Sequence, residues 1–556
     1  MRIAFSLGHK WIWLTLLFGI CLQSAPAPAQ VRIPAAAVAD QETLQGVLRQ
    51  GKLMEDERRW HDALDHYQSA LRSHPEWREL QHRLAVAGTH VDVARRYSDS
   101  SFVESVRQLS EQQAYDLLSE VFLKIDTYHV STPAWDELVA RGVLNLRIAP
   151  SEPAFVNRFS RPDAADASDR FTQDVEQVLD GSRIQSRLQA QEVIASITPI
   201  AVRDLAISTQ AAVLEFACAA VHSLDDYSSY LTGEQLDEVF SQIEGSFVGV
   251  GIELTTDDES LLIVDVIPGG PAEEAGIAPR DQIIEVDGKT TREVSTDTAA
   301  DMLKGPDLSD VEIVVRSPDG KVRRERLQRR RVEVPSVQDV KILDETHGVA
   351  YLKIASFQKT TSRDVDNALW KLHREGMRSL VVDVRGNPGG LLNSSVEVAD
   401  KFLTGGNIVS TRGRNNREDH DYRAHEVGTW RIPLIVLIDH DSASASEIFA
   451  GAIHDQRRGT VVGQRSYGKG SVQGIFPLSR YNSGIRVTTA EFCSPSGREI
   501  SRRGVVPDIV VEADSRHVVA RPTEQAEIPV DEADSTLEMA LDVARESTNY
   551  TTAGAR

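Results

Sequence analysis

Two short stretches of this 556-residue chain hold residue types suited to nucleophilic catalysis. The first, Asp441-Ser442-Ala443-Ser444-Ala445-Ser446-Glu447, directly follows the apolar run Leu434–Ile438. A serine at a strand-to-helix turn is exposed, with the first free N–H groups of the helix beside it. Such donors stabilise the oxyanion of an acyl transfer. Taken alone, three serines among small residues also describe an ordinary helix cap. The second stretch is Gly463-Gln464-Arg465-Ser466-Tyr467-Gly468-Lys469-Gly470-Ser471-Val472-Gln473. Glycines on both sides of Lys469 let backbone pack closely around its side chain. Burial disfavours the ammonium form, so such a lysine loses its proton more readily. A neutral lysine can accept a serine's proton, and Gln473, four residues on, can hydrogen-bond and aim the amine. The plain alternative is a solvated surface lysine.

The lysine stretch also has a reading from another class. Gly463, four residues, then Gly468-Lys469 nearly matches a phosphate-binding loop. That loop requires Ser or Thr after the lysine to hold Mg²⁺, and here Gly470 follows. Val472–Phe476 then reads as strand rather than helix, which argues against nucleotide binding. A third element, Asp383-Val384-Arg385-Gly386-Asn387-Pro388-Gly389-Gly390-Leu391-Leu392, is again strand, turn and helix. Its glycine N–H groups can supply another oxyanion donor. His420 and His425 sit in a polar loop with nothing to fix them, so a Ser-His-Asp arrangement has little support. No His/Cys/Asp cluster has metal-ligand spacing, and neither a metal nor another cofactor is expected.

These stretches must be positioned by larger elements. Residues 348–512 alternate strand and helix, an α/β pattern with parallel character. Strands are expected at Gly348–Ile354, Leu380–Val384, Leu434–Ile438 and Ile485–Glu491, and helices at Ser362–Glu375, Asn393–Leu403 and Ser446–His454. Residues 245–330 hold short β-rich runs (Phe247–Leu254, Leu261–Val266, Gln282–Val286, Val311–Arg316) punctuated by Gly and Pro, with a helix-like stretch at Thr296–Lys304. This order resembles a PDZ domain. Phe247, Val248, Gly249, Val250, Gly251 and Ile252 would then form the loop that receives a peptide C-terminus: glycines let N–H groups converge on a carboxylate, and the next strand edge pairs with the peptide. Residues 41–146 read as helical. Ala63, Tyr67, Ala70 and Leu71 recur at helical spacing like one tetratricopeptide unit, with a fainter echo near Leu80–Ala94; an ordinary helical hairpin fits equally. Residues 150–190 are polar and read as an insertion or mobile connection, and apolar helix resumes at Ala211–Leu224.

Together the motifs resemble the C-terminal processing peptidases, also called tail-specific proteases. That family joins an RGNPGG turn, a Ser-Ala-Ser-Ala-Ser-Glu turn and an FGKGxVQ-like segment, here Tyr467–Gln473. Leu224–Thr232, Ser494-Pro495-Ser496-Gly497-Arg498 and Val506-Pro507-Asp508-Ile509-Val510 also resemble family segments, so the likeness covers roughly 211–512. It implies that Ser444, the middle serine, is the nucleophile, 469 − 444 = 25 residues before a general base Lys469. It implies an oxyanion hole from Ala445 and the Gly389-Gly390 pair, and a crotonase-like α/β core with the PDZ domain inserted. Asp441 departs from the family's usual glycine; an inward carboxylate there would favour protonated Lys469, while an outward one would be a harmless cap.

The formal net charge of −22 repels polyanions, so nucleic acid is not an expected partner. Trp11–Cys21 is an apolar run followed by Ala27-Pro28-Ala29, the pattern of a cleaved secretory signal peptide; retained, it would leave the protein membrane-associated. Ile20 before Cys21 argues against lipidation. Cys218 and Cys493 are expected as buried free thiols rather than a bridge. The expected organisation is signal peptide 1–29, helical region 30–150, polar insertion or linker 151–210, helical lead-in 211–240, PDZ domain 241–330, protease core 331–515 and polar tail 516–556 with a short helix near Thr536–Arg545. The expected function is an exported, periplasmic or extracytoplasmic serine endopeptidase acting on flexible protein tails with free C-termini. The N-terminal helices are expected to serve a partner protein or self-association. The alternative is a non-catalytic PDZ scaffold that holds peptide tails.

Overall fold

The computed structural model describes residues 35–159, 167–257, 260–292, 296–479, 482–511 and 534–553. The expected signal segment 1–29 and most of the tail after 515 lie outside them. No helix among the described residues is long and apolar enough to cross a membrane. The chain divides into two compact units, 1–88 and 89–556.

Helices Ala35–Asp56 and Trp60–Ser73 and the start of Arg78–Ser98 build the first unit around buried Ala63, Tyr67, Leu80 and Ala87. A Cβ at Gly51 would lie 2.1 Å from the Tyr67 ring, so the tyrosine fills space that only glycine leaves. The echo near Leu80–Ala94 is not a second repeat; it lies on the single helix Arg78–Ser98.

The second unit begins with a helical bundle centred on Thr209–His222, in which every residue from Ala211 to Val221 is buried. A helix apolar all round belongs in an interior. Its one carboxylate, Glu215, accepts from Arg96 at 2.7 Å and Asn145 at 2.9 Å. The polar stretch 151–210, expected as an insertion or linker, carries helices Pro153–Phe159, Ala167–Asp180 and Arg187–Leu205. Phe171 and Val175, one turn apart, are buried, as is Phe155. Composition averages away this sparse helical spacing.

The PDZ-like region is an antiparallel sheet with Ile252–Asp257 at its edge, followed in space by Ser260–Val266, Gln282–Val286, Asp310–Arg316 and Val322–Gln328. The run Phe247–Leu254 does not form one strand. It breaks at Gly251, whose φ is 79°, and Ser246–Gly249 pairs instead with Arg330–Glu333.

The α/β core has a six-stranded sheet in the order Val337–Asp344, Val349–Ile354, Ser379–Asp383, Leu434–Ile438, Thr460–Gly463, Ile509–Val510. All pairs are parallel except the first. Its central strands are continuous apolar runs because both faces are covered. Leu380, Val382, Leu434 and Val436 face helices Thr361–Arg374, Leu392–Asp400 and Ala445–Asp455. Val381, Ile435 and Leu437 face the C-terminal helix Ser535–Ala553 through Ala540 and Ala544. That helix is longer than the expected Thr536–Arg545. A second sheet centres on Gly484–Cys493, which pairs with Ser229–Leu231, Asn407–Gly413 and Ser471–Pro477. Cys218 is buried and Cys493 half-buried, both as free thiols.

Candidate active site

Strand Leu434–Ile438 delivers the chain to a turn that its own side chains fix. The Asp439 carboxylate accepts the N–H groups of Asp441 at 3.1 Å, Ser442 at 2.9 Å and Gly386 at 3.0 Å. The Ser442 hydroxyl donates to Val384 O at 2.8 Å, and that of Ser446 to Asn387 O at 3.0 Å. Both serines are fully buried. Ser444, by contrast, lines a cleft of about 1990 Å³. Its backbone has φ 55° and ψ −112°, a sparsely populated region for a residue with a side chain. Such strain persists only where the surroundings over-determine it.

Part of that determination comes from the glycine turn. A Cβ on Gly389 would lie 2.8 Å from both Ala443 O and Ser444 Cβ, so only glycine permits the approach. The Gly389 N–H donates to Asn387 Oδ1 at 2.8 Å and is committed inside the turn. The N–H groups of Gly390 and Ala445 have no hydrogen bond among the described residues, and both residues line the cleft. Arg385 anchors the turn from behind. It pairs with Asp383 at 2.7 Å and forks onto Asp534, just ahead of the C-terminal helix, at 2.8 Å for each nitrogen.

Lys469 also lines the cleft. Its flanking glycines are required by the 500–503 segment: a Cβ on Gly470 would lie 2.3 Å from Ser501 N, and one on Gly468 3.1 Å from Arg502 C. The Lys469 Nζ stands 4.9 Å from the centroid of the Tyr227 ring. Burial is the main reason its proton affinity falls below the usual lysine value; Arg486 adds to the effect, and Glu447 and Asp225 oppose it. Among the described residues no hydrogen bond joins its amine to the Ser444 hydroxyl. Gln473 lines the same cleft, but its amide donates to Ser471 Oγ at 2.8 Å rather than meeting Lys469.

Glu447 ties the two stretches together. Its carboxylate, with no exposed surface, accepts Ser444 N–H at 2.7 Å and Lys469 N–H at 2.9 Å on one oxygen. The other oxygen accepts the Ser466 hydroxyl at 2.6 Å and Gly468 N–H at 2.7 Å. Burial pushes its carboxyl above the usual range, although these donors pull the other way. Asp225 organises the segment that carries Tyr227, accepting Tyr227 N–H at 2.8 Å, Ser228 N–H at 2.9 Å, Thr488 Oγ1 at 3.0 Å and His129 Nε2 at 3.2 Å. Glu447 lies in the serine motif, and Asp225 and Tyr227 in the segment Leu224–Thr232, where residue type alone assigns them no role. For Glu447 a signal existed: an acid three residues after a helix-capping serine is a capping-box pattern.

Asp441 points outward. Its side chain is 64% exposed and faces His440 at 3.3 Å. In the PDZ-like region only part of the expected peptide loop is a loop. Phe247, Val248 and Gly249 belong to the short ribbon, Val250 is buried, and Gly251 turns into the edge strand that starts at Ile252. Phe247 and Val248 line the same cleft as Ser444.

Residues 348–511 match Peptidase family S41, and residues 262–317 match the PDZ domain. The chain is 37% identical over 302 residues to a carboxy-terminal-processing protease of Bartonella bacilliformis, covering 52% of this chain and 67% of that one. It is 35% identical over 295 residues to a carboxyl-terminal-processing protease of Synechocystis, covering 52% and 69%. Among solved structures, the photosystem II D1 C-terminal processing protease is 26% identical, with 72% of this chain and 93% of that one covered and a TM-score of 0.37.

Proposed function

The chain belongs to peptidase family S41, among the carboxy-terminal-processing proteases, and is a serine-type peptidase; from that premise we propose that it is an exported endopeptidase that cuts flexible protein tails, with Ser444 as nucleophile and neutral Lys469 as base. The Lys469 amine takes the Ser444 hydroxyl proton as Oγ attacks the scissile carbonyl. The N–H groups of Ala445 and Gly390 receive the oxyanion; Gly389, committed to Asn387, shapes the hole rather than donating to it. The protonated lysine then returns its proton to the leaving amine, and water repeats the cycle on the acyl-enzyme. For this the Lys469 side chain must swing from the Tyr227 ring to Ser444, a rotation within one cleft, where Gln473 then orients the amine. The observation that carries the reading is the Glu447 carboxylate, which holds the backbone of a strained serine and of a lysine in one buried knot.

The edge strand Ile252–Asp257 offers unpaired backbone groups to a peptide, and the Val250–Gly251 turn ahead of it is the site for a terminal carboxylate. The N-terminal helices are assigned to a partner protein or a second copy. Export rests on Trp11–Cys21 and Ala27-Pro28-Ala29, and predicts a mature chain starting at Gln30. The catalytic reading is tested by labelling with a serine-directed phosphonate and mapping the modified peptide. The label is expected on Ser444, and labelling of another serine would overturn the assignment.

A further inference from the structure

Arg486 is a half-buried cation with no counter-ion among the described residues. It lies on strand Gly484–Cys493, opposite Ile475 on one side and Ser229 on the other. Side chains alternate along a strand. Ile485 and Val487 therefore enter the helical core, while Arg486 and Ala490 line the cleft that holds Lys469. The Arg486 guanidinium donates to the Ser229 hydroxyl from Nε at 3.3 Å and Nη2 at 3.2 Å. Among the described residues no carboxylate pairs with it. An unpaired charge in a partly buried place is costly and persists where it has a use.

The use follows from what stands next to it. Tyr227 and Ser229 are two residues apart in one segment, and each receives a cation: the Tyr227 ring takes the Lys469 amine and the Ser229 hydroxyl takes Arg486. Two positive groups that line one cleft are thus held by neighbouring residues of one segment. Besides Arg486, the groups facing Lys469 are Asp225 and Tyr227 from the segment before the second sheet and Glu447 from the serine helix, with Arg95 behind Arg486. The two carboxylates favour a charged lysine, and both are occupied by other donors. Arg486 opposes them.

We propose that Arg486 is a positioning residue for the base: held by Ser229 beside Lys469, its permanent charge disfavours a second one there and keeps the Lys469 amine in the form that takes the Ser444 proton. Arginine suits this role because it does not deprotonate in exchange. The inference rests on the Ser–Lys reading above.

The test is the pH dependence of kcat/KM for a flexible peptide, measured on the full chain as wild type, Arg486→Gln, Arg486→Lys and Ser229→Ala. Without the guanidinium, Lys469 holds its proton to higher pH. The rising limb of Arg486→Gln should move up by about one unit, roughly a ten-fold loss at a pH below both limbs that recovers at high pH. Arg486→Lys keeps a cation that can itself give up its proton, so its limb should fall between those of wild type and Arg486→Gln. Ser229→Ala, the milder variant, should give a smaller upward shift. An unmoved limb, an equal loss at every pH, or an Arg486→Lys profile like that of Arg486→Gln would overturn the proposal. Ser444→Ala run alongside separates the two claims: if it is inactive and the Arg486 limb stays put, only this inference fails, and if it retains activity the Ser–Lys reading fails first.

Discussion

Replacing Glu447 tests the knot between the serine turn and the lysine segment. Alanine at 447 would strand the N–H groups of Ser444, Gly468 and Lys469 and the Ser466 hydroxyl in a place without solvent. Each buried donor left unpaired costs about 1–3 kcal/mol, so the loss approaches the roughly 5–15 kcal/mol that holds a domain together. Glu447→Ala should therefore be recovered unfolded or not at all. Glutamine is the finer probe. With its oxygen toward Ser444 and Lys469, its amide nitrogen faces Ser466 and Gly468. The Ser466 hydroxyl already accepts Val505 N–H at 2.7 Å and can turn to accept the amide as well. Gly468 N–H and the Ser466 O–H then lose the acceptor they shared, for about 1–3 kcal/mol each. Because a misplacement of about 1 Å costs on the order of 10²-fold in rate, kcat should drop by about ten- to a hundred-fold with KM nearly unchanged. Urea melts followed by tryptophan fluorescence, and peptide cleavage on the folded fraction, give both quantities. Glu447→Gln with wild-type midpoint and wild-type kcat would refute the reasoning.

Three further outcomes are expected. Burial alone would raise Asp225, but hydrogen bonds from His129, Tyr227 N–H, Ser228 and Thr488 outweigh it and hold its pKa at about 2. Its folded value lies below the unfolded value of about 3.9, so its contribution is complete above pH ~4 and lost as pH falls through about 2. The stability gap between wild type and Asp225→Asn should narrow across that window in acid melts; a gap constant with pH would contradict this. Asp441 faces solvent and His440, so Asp441→Gly should leave the pH–rate profile of peptide cleavage unmoved, and a limb shifted to lower pH would show that its charge reaches Lys469. A peptide with a free C-terminus should be cut faster at low concentration than its amidated twin, and equal rates would remove the carboxylate site from the account.

What was legible in the sequence divides along physical lines. Leu434–Ile438 and Gln282–Val286 form with the expected bounds because both are short runs rich in Ile, Leu and Val closed by turn residues. The apolar helix expected at Ala211–Leu224 forms over Thr209–His222. Strands Val337–Asp344 and His420–Arg423 went unread because they lie at sheet margins and keep charged residues on exposed faces. The family and the α/β class were legible from motif order. The choice among Ser442, Ser444 and Ser446 came only from resemblance; the burial of the outer two hydroxyls against Val384 and Asn387 is a tertiary fact. Arg486 meets Ser229 across 257 positions of chain, a contact that no local pattern announces.

The central claim is that Ser444 and Lys469 act as one chemical unit. Its most direct test is kcat/KM for one flexible peptide, measured on wild type, Ser444→Ala, Lys469→Ala and the double variant, with folding checked by urea melts. Residues that act as a unit are non-additive, so each single change should cost at least about 10³-fold and the double variant no more than the worse single. Losses that multiply in the double variant, or cleavage by Ser444→Ala at the wild-type rate, would contradict it.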